Sequence, residues 1–240
     1  MNDTHIALGG KTIAGASLGI LVLQSQFPRV LGDGGNARTW PFPMLYKVVS
    51  GATPDRVVRR HADGWVNVFM QGAKELVAAG ADGITTNCGF LVLHQKALSE
   101  ACGVPVGASS LLQVPWVQTL LPPGQRVGVI TIAKHSLTPE HLRQAGAPLD
   151  TPVEGTDSGQ EFTRVLLDDQ LELNTAAARQ DIIDAGQRLI TQNPDVGAVV
   201  LECTNMPPYA ASLAQAIRRP VYDFYSFVTW FHAGLVPRQF

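Results

Sequence analysis

The sequence predicts an α/β fold with mainly parallel sheets, and three observations support this. Short apolar runs alternate with longer amphipathic stretches along all 240 residues, which is typical of strands that alternate with helices. Hydrophobic residues make up 45% of the chain and charged residues 16%, so a large part should be buried. Two segments nearly half the chain apart also share one layout, in which an apolar strand runs into a cysteine and then a helix. The chain therefore contains a two-fold internal repeat of a βα unit.

The first half of the chain predicts three strands, three helices and one long loop. Residues 25–45 contain GDGGN and WPFP, and glycine and proline at that density interrupt helices and central strands. Loops of that length in compact domains are usually functional or lie at interfaces. GDGGN suits either a plain turn or an anion held by backbone N–H groups. In order, the elements are strand 17–24, loop 25–45, helix 65–79, strand 81–87, helix 90–101, strand 104–108 and helix 111–121.

The second half repeats the pattern after a Pro122-Pro123-Gly124 turn. Thr138-Pro139-Glu140 is a typical helix start. The other predicted elements are strand 126–132, helix 172–192, strand 196–201, helix 208–218, strand 221–223 and a last helix from residue 226. We therefore predict a first lobe over residues 1–122, a second over 123–224, and a return of 225–240 to the first.

Charge and cysteine content exclude several classes of protein. The formal net charge of −2 provides no basic field, so neither nucleic acid nor a membrane is an expected partner. Three cysteines are an odd number, typical of free thiols in a reducing compartment, and the predicted location is cytoplasmic. The apolar stretch 13–23 is too short to span a bilayer and lacks a basic leader, so we interpret it as a buried strand.

Cys88 and Cys203 are the candidate catalytic residues. Each follows a predicted strand and precedes a helix, where ligands bind in open α/β sheets and where a thiolate is favoured. A lone free cysteine is as often a small buried hydrophobe, but two at equivalent positions of a repeat favour function. Cys102, between a helix and Gly103, is interpreted as structural. No metal-ligand spacing, P-loop or dinucleotide motif occurs, so we expect neither metal nor cofactor.

Two thiols that face each other across a cleft suit proton transfer at carbon. One thiolate removes a proton and the opposite thiol delivers one to the other face, which produces the mirror-image centre. The enolate-like carbanion needs N–H and hydroxyl donors around the adjacent carboxylate. The candidate substrate-binding residues are those beside the cysteines and at two further strand ends, although Asn and Thr are equally ordinary helix caps. They are Ser25, Asn87, Gly89, Phe90, Thr131, Thr204 and Asn205.

Three motifs resemble the aspartate/glutamate racemase superfamily, which includes hydantoin racemases, maleate isomerases and arylmalonate decarboxylases. They are TTNCGFL at 85–91, VGVIT at 127–131 and LECTNMPP at 201–208. The resemblance implies two pseudo-symmetric Rossmann-like lobes with an active site in the interlobe cleft. It also implies cofactor-independent proton transfer by Cys88 and Cys203, with Thr204 holding the substrate carboxylate. A homodimer is expected, with the WPFP loop and the aromatic C-terminal segment as candidate interface, although core packing explains those aromatic residues equally well.

The sequence departs from the superfamily pattern at both cysteines. The amino-acid racemases usually have Cys-Asn-Thr at the first site, whereas here Asn87 precedes Cys88 and Gly89 follows it. Glu202 stands where the second site often has glycine. Strand alternation favours a Glu202 side chain that points away from the cleft, which leaves its role open.

The leading hypothesis is a cofactor-independent racemase or epimerase for a small amino-acid-like or hydantoin-like carboxylate. On the same fold, a maleate-type cis-trans isomerase would add one cysteine to a double bond, and a malonate-type decarboxylase would use one to protonate a carbanion. A non-catalytic anion-binding protein would fit the two lobes equally well. A cysteine hydrolase would need a base such as His94 or His135 beside the nucleophile.

Overall fold

The computed structural model describes residues 9–239 and contains two four-stranded sheets with one shared topology. All neighbouring strands are parallel, and the orders are β2-β1-β3-β4 and β6-β5-β7-β8. The predicted α/β class with mainly parallel sheets is confirmed. The strands are β1 (Leu18–Leu23), β2 (Met44–Val49), β3 (Gly83–Thr86), β4 (Val106–Gly107), β5 (Arg126–Thr131), β6 (Val153–Gly155), β7 (Val196–Leu201) and β8 (Val221–Tyr222).

Eight α-helices surround the two sheets. They are α1 (Val66–Ala79), α2 (Gln95–Cys102), α3 (Gln113–Leu120), α4 (Pro139–Gln144), α5 (Phe162–Leu167), α6 (Thr175–Gln192), α7 (Ala210–Ile217) and α8 (Phe224–Leu235). Side-chain caps define where several begin: Asn174 Oδ1 accepts from two N–H groups of α6, and Asp223 forms a capping box with Ser226 in α8. None of the helices within residues 9–239 combines the length and apolarity needed to cross a bilayer.

The central strands are the ones that the sequence predicts best. All six residues of β1 and all six of β7 are buried, because helices cover both faces of a parallel sheet. A strand of this kind reads as a continuous apolar run, which is the pattern used to predict it.

The edge elements differ from prediction. Strand β2 begins inside the predicted loop 25–45, and neither β6 nor α5 was predicted. Strand β2 has a half-exposed pattern and β6 spans only three residues, so neither produces a long apolar run. The predicted helix 90–101 begins as a 3-10 turn, Gly89–His94, before α2.

The last helix of each half packs against the sheet of the other half. Phe224, Phe227 and Val228 of α8 form one cluster with Leu18 and Ile20 of β1. Helix α3 packs against β5 and β7, and Gln118 Oε1 accepts a hydrogen bond from Val127 N at 3.0 Å. The predicted lobe boundaries stay a prediction, and residues 1–8 and 240 of those ranges lie outside the described residues.

The aromatic residues proposed for an interface divide into two groups. Trp40 and Phe227 are buried, and Trp40 stacks on Tyr225 with ring centroids 5.7 Å apart. Trp230, by contrast, is 56% exposed and lies along a surface groove beside Trp116, a 45% exposed residue outside the proposed set. The homodimer stays a prediction.

Candidate active site

The carboxyl ends of the central strands of both sheets open onto one pocket. Ligands bind at this end of parallel sheets because loops and helix N-termini converge there. About 370 Å³ is free of protein atoms, the mouth included. The lining residues combine apolar walls with two thiols, one guanidinium and one carboxyl group. They are Leu23, Phe27, Arg29, Pro54, Val58, Asn87, Cys88, Gly89, Phe90, Ile132, Leu166, Leu167, Glu202, Cys203, Thr204 and Asn205.

Cys88 follows β3 and precedes the 3-10 turn Gly89–His94. The Thr86 hydroxyl positions this loop, because it donates to the carbonyl of Ala108 at 2.7 Å and accepts from Cys88 N at 3.4 Å. Burial raises the pKa of the Cys88 thiol well above its usual value, and Glu202 raises it further. The N–H groups of Phe90 and Leu91 and the guanidinium of Arg29 act in the opposite direction on this pKa. Cys88 is therefore a protonated thiol beside groups that favour its thiolate.

Cys203 occupies the equivalent position after β7, in a different electrostatic setting. Its Sγ donates to Asn205 Oδ1 at 3.4 Å, and Asn205 Nδ2 donates to Asp33 Oδ2 at 2.5 Å. Burial raises the pKa of the Cys203 thiol, and Glu202, Cys88 and Asp33 add to the rise. The backbone N–H of Asn205 acts in the opposite direction on this pKa, so the two thiols differ in that Arg29 favours the thiolate of Cys88 whereas Asp33 disfavours that of Cys203.

Glu202 points into the pocket, contrary to the orientation that alternation favoured. Strand β7 ends at Leu201, so the pleat no longer dictates where the next side chain points. The Glu202 side chain is buried, and the Thr131 hydroxyl donates to its Oε2 at 2.8 Å. Burial raises the pKa of Glu202 to about 7, while the hydrogen bond from Thr131 lowers it.

Five of the seven predicted substrate-binding residues line the pocket: Asn87, Gly89, Phe90, Thr204 and Asn205. Two of them also serve the framework, since Asn87 Oδ1 accepts from Leu23 N at 2.8 Å and the Thr204 hydroxyl donates to the Asn87 carbonyl at 2.6 Å.

Thr131 and Ser25 lie behind the pocket-lining residues. The Thr131 hydroxyl bonds Glu202, and the Ser25 hydroxyl accepts from Arg29 Nη2 at 2.7 Å. Each therefore positions an ionisable side chain that lines the pocket.

Arg29 is the functional candidate that the sequence analysis missed. Its Nη1 donates to Asp33 Oδ1 at 2.9 Å, and its guanidinium carbon lies 4.6 Å from the centre of the Phe27 ring. The available signal was the Asp33 of GDGGN, four residues after Arg29. That segment forms a turn in which Gly35 N donates to Asp33 Oδ1 at 2.7 Å, and Gly34 N donates to the Thr204 carbonyl at 2.9 Å.

No model of a known protein family matches the chain. Among curated proteins, it is similar to a dimethylsulfoniopropionate lyase of Durusdinium sp. clade D, 25% identical over 229 residues. That alignment covers 92% of this chain and 75% of the relative. Dimethylsulfoniopropionate lyase 7 of Emiliania huxleyi is 26% identical over 239 residues, with 92% and 67% coverage.

Solved structures share the fold at lower identity. Arylmalonate decarboxylase is 16% identical with a TM-score of 0.58, and 92% of each chain is covered. Allantoin racemase from Pseudomonas fluorescens is also 16% identical, with a TM-score of 0.59 and coverage of 91% of this chain and 90% of that one. Glutamate racemase from Bacillus anthracis is 17% identical, with a TM-score of 0.56 and coverage of 92% and 84%. These proteins and the sequence relatives are enzymes, which supports an enzymatic function here. The predicted resemblance is confirmed, and the chain has the fold of the aspartate/glutamate racemase superfamily.

Proposed function

We propose that the chain is a lyase that removes a proton from the carbon next to a substrate carboxylate and then expels a leaving group from the neighbouring carbon. The observation that carries this proposal is that Cys88 and Cys203 line one buried pocket together with Arg29. Thiols provide the acid–base groups, and the guanidinium provides a partner for a carboxylate.

The proposed substrate class is a small zwitterion such as dimethylsulfoniopropionate. The similarity to dimethylsulfoniopropionate lyases extends over 92% of the chain. Removal of the proton next to the carboxylate leaves an electron pair on that carbon, which forms the new double bond. The carbon–sulfur bond breaks with its electrons on sulfur, so the products are acrylate, dimethyl sulfide and the proton now on the enzyme.

The two thiols have different parts in this proposal. Cys88 acts as the base in its thiolate form, which the N–H groups of Phe90 and Leu91 and the charge of Arg29 favour against the effect of burial. Cys203 keeps its proton, because burial and the carboxylate of Asp33 raise its pKa. The apolar walls, among them Phe27 and Leu166, exclude water and so strengthen every charge interaction inside the pocket.

A cofactor-independent racemase is the second candidate, and the equivalent positions of the two cysteines favour it. In that reaction Cys203 would return a proton to the opposite face of the carbanion. Both reactions share the first step, so the pocket serves either one. The fate of the carbanion depends on whether the substrate carries a leaving group on the next carbon.

The test is to follow the substrate by NMR in deuterium oxide. We expect loss of dimethylsulfoniopropionate with formation of acrylate and dimethyl sulfide, abolished in Cys88→Ala. A panel of amino acids, hydantoins, 2-substituted malonates and maleate tests the other reactions. Deuterium exchange without elimination would support the racemase, and loss of carbon dioxide the decarboxylase. Binding without any reaction would identify an anion-binding protein and overturn both proposals.

A further inference from the structure

Glu202 is a buried carboxyl group for which the two-cysteine chemistry has no use. It is 1% exposed and lines the same pocket as both thiols. Its backbone is fixed by Ser110, whose hydroxyl donates to the Glu202 carbonyl at 2.9 Å. Its Oε1 lies against the backbone of Gly89, on the loop that carries Cys88. The carboxyl group is thus held between the two cysteine loops.

The surroundings of Glu202 disfavour its charged form. Its hydrogen-bond donors are neutral groups, the hydroxyl of Thr131 and the backbone N–H of Ile132. The charged and titratable groups around it are the thiols of Cys88 and Cys203, with Arg29 beside the first and Asp33 beside the second. A buried carboxylate without a cationic partner is costly, so the group neutralises instead.

We propose that Glu202 holds a proton in the resting enzyme and donates a hydrogen bond from Oε1 to the substrate carboxylate as negative charge develops on it. This rests on the proposed function, because the developing charge is that of the enolate-like intermediate. The Thr131 hydroxyl lies 2.8 Å from Oε2, whereas Oε1 lies beside the backbone of Gly89, and the proposal places the proton on Oε1. The proton stays on Glu202 throughout, so the balance of the reaction is unchanged.

A neutral Glu202 also helps Cys88 to act as a base. A carboxylate at this position raises the pKa of both thiols, so its protonation removes a charge that opposes the thiolate. A carboxylic acid kept neutral near pH 7 by burial is a known way to supply a strong hydrogen-bond donor to an enolate. Burial raises the pKa of Glu202 to about 7, consistent with this state.

The protonation state is measured without any substrate. In protein labelled with carbon-13 at the glutamate carboxyl carbons, the Glu202 signal is assigned as the one lost in Glu202→Gln. We expect its midpoint near pH 7, above the ordinary glutamate value of about 4.3. A Glu202 midpoint near the ordinary value would overturn this inference and leave the proposed lyase function intact.

The donor role is measured with two variants on the lyase reaction. Glu202→Gln keeps a neutral donor of the same shape, so kcat/KM should stay within about tenfold of the wild type and lose the alkaline decline near pH 7. Glu202→Met keeps the volume and removes the donor, so kcat should fall by about 10²–10³-fold. Glu100→Gln is the matched control.

If folded Glu202→Gln were as inactive as Glu202→Met, Glu202 would act as a proton acceptor, which would overturn the proposed role as a donor. If wild-type protein turned over no substrate, the proposed function would fail as well.

Discussion

The residues that precede the two cysteines occupy equivalent positions but carry different side-chain groups. Asn87 and Glu202 each follow the third-placed strand of their sheet, and each bonds the end of the neighbouring central strand. Asn87 Oδ1 accepts from Leu23 N, and Glu202 Oε2 accepts from the Thr131 hydroxyl. Both residues line the pocket, and they differ in the group that they carry, an amide at Asn87 and a carboxyl group at Glu202. One position of the repeat therefore holds a neutral amide after β3 and an ionisable carboxyl group after β7.

The charges behind the two thiols differ in the same way. Arg29 lowers the pKa of Cys88, whereas Asp33 raises that of Cys203 and bonds its neighbour Asn205. A pseudo-symmetric fold thus places two like groups in unlike fields. This difference supports the proposed roles, with Cys88 as base and Cys203 as the thiol that retains its proton.

Replacing Cys88 and Cys203 in turn tests whether the two thiols contribute differently to the rate of elimination. We expect Cys88→Ala to lower the rate of elimination by about 10³-fold, because it removes the general base. Cys203→Ala should lower it by less than about tenfold. Initial rates of dimethyl sulfide release measure both, with Cys102→Ala as the control for a thiol outside the pocket. Equal losses for the two variants would contradict the assignment and favour the symmetric racemase.

Glu202→Gln should also change how stability depends on pH. The folded pKa is near 7 and the unfolded value about 4.3, so the folded state binds more protons between these values. The free energy of unfolding contributed by Glu202 therefore falls as pH rises through this window. The variant should match the wild type at pH about 4 and exceed it by about 3 kcal/mol at pH about 8. Urea unfolding at the two pH values measures this, and an equal difference at both would contradict the buried neutral carboxyl.

Gly89→Ala should disturb the contact between the two cysteine loops. A Cβ there would overlap the Glu202 carboxyl group and lie 2.5 Å from its carbonyl oxygen. We expect a loss of about 1–3 kcal/mol in the free energy of unfolding, as for other overpacked sites. Gly234→Ala in α8 is the matched control, because no atom lies within 4 Å of an added Cβ. Similar unfolding midpoints for the two variants would show that the loops are not in close contact.

Arg29→Gln tests whether the guanidinium in the pocket binds the substrate carboxylate. Loss of the guanidinium removes a charged partner of the substrate carboxylate, so KM should rise by about 10–100-fold. Arg38→Gln, exposed in the same loop, should leave KM unchanged. Steady-state kinetics of both variants measure this, and an unchanged KM in Arg29→Gln would exclude Arg29 from substrate binding.

The elements that could be predicted from the amino-acid sequence alone are those with a local hydrophobic or motif pattern. Strands β1 and β7 are continuous apolar runs, and the placement of Cys88 and Cys203 after equivalent strands indicated one shared pocket. The superfamily fold followed from the short motifs around those cysteines. These features could be predicted because burial on both sheet faces requires an unbroken apolar segment.

Which charged side chains lie beside the two thiols could be seen only in the tertiary structure. Arg29, Cys88 and Glu202 are far apart in sequence and come together because the two sheets direct their carboxyl ends at one pocket. Strand alternation misjudged Glu202, since β7 ends one residue before it. The packing of α3 against β5 and β7 left no local pattern either. Electrostatics within a buried site depends on distances through space, and periodicity along the chain does not encode them.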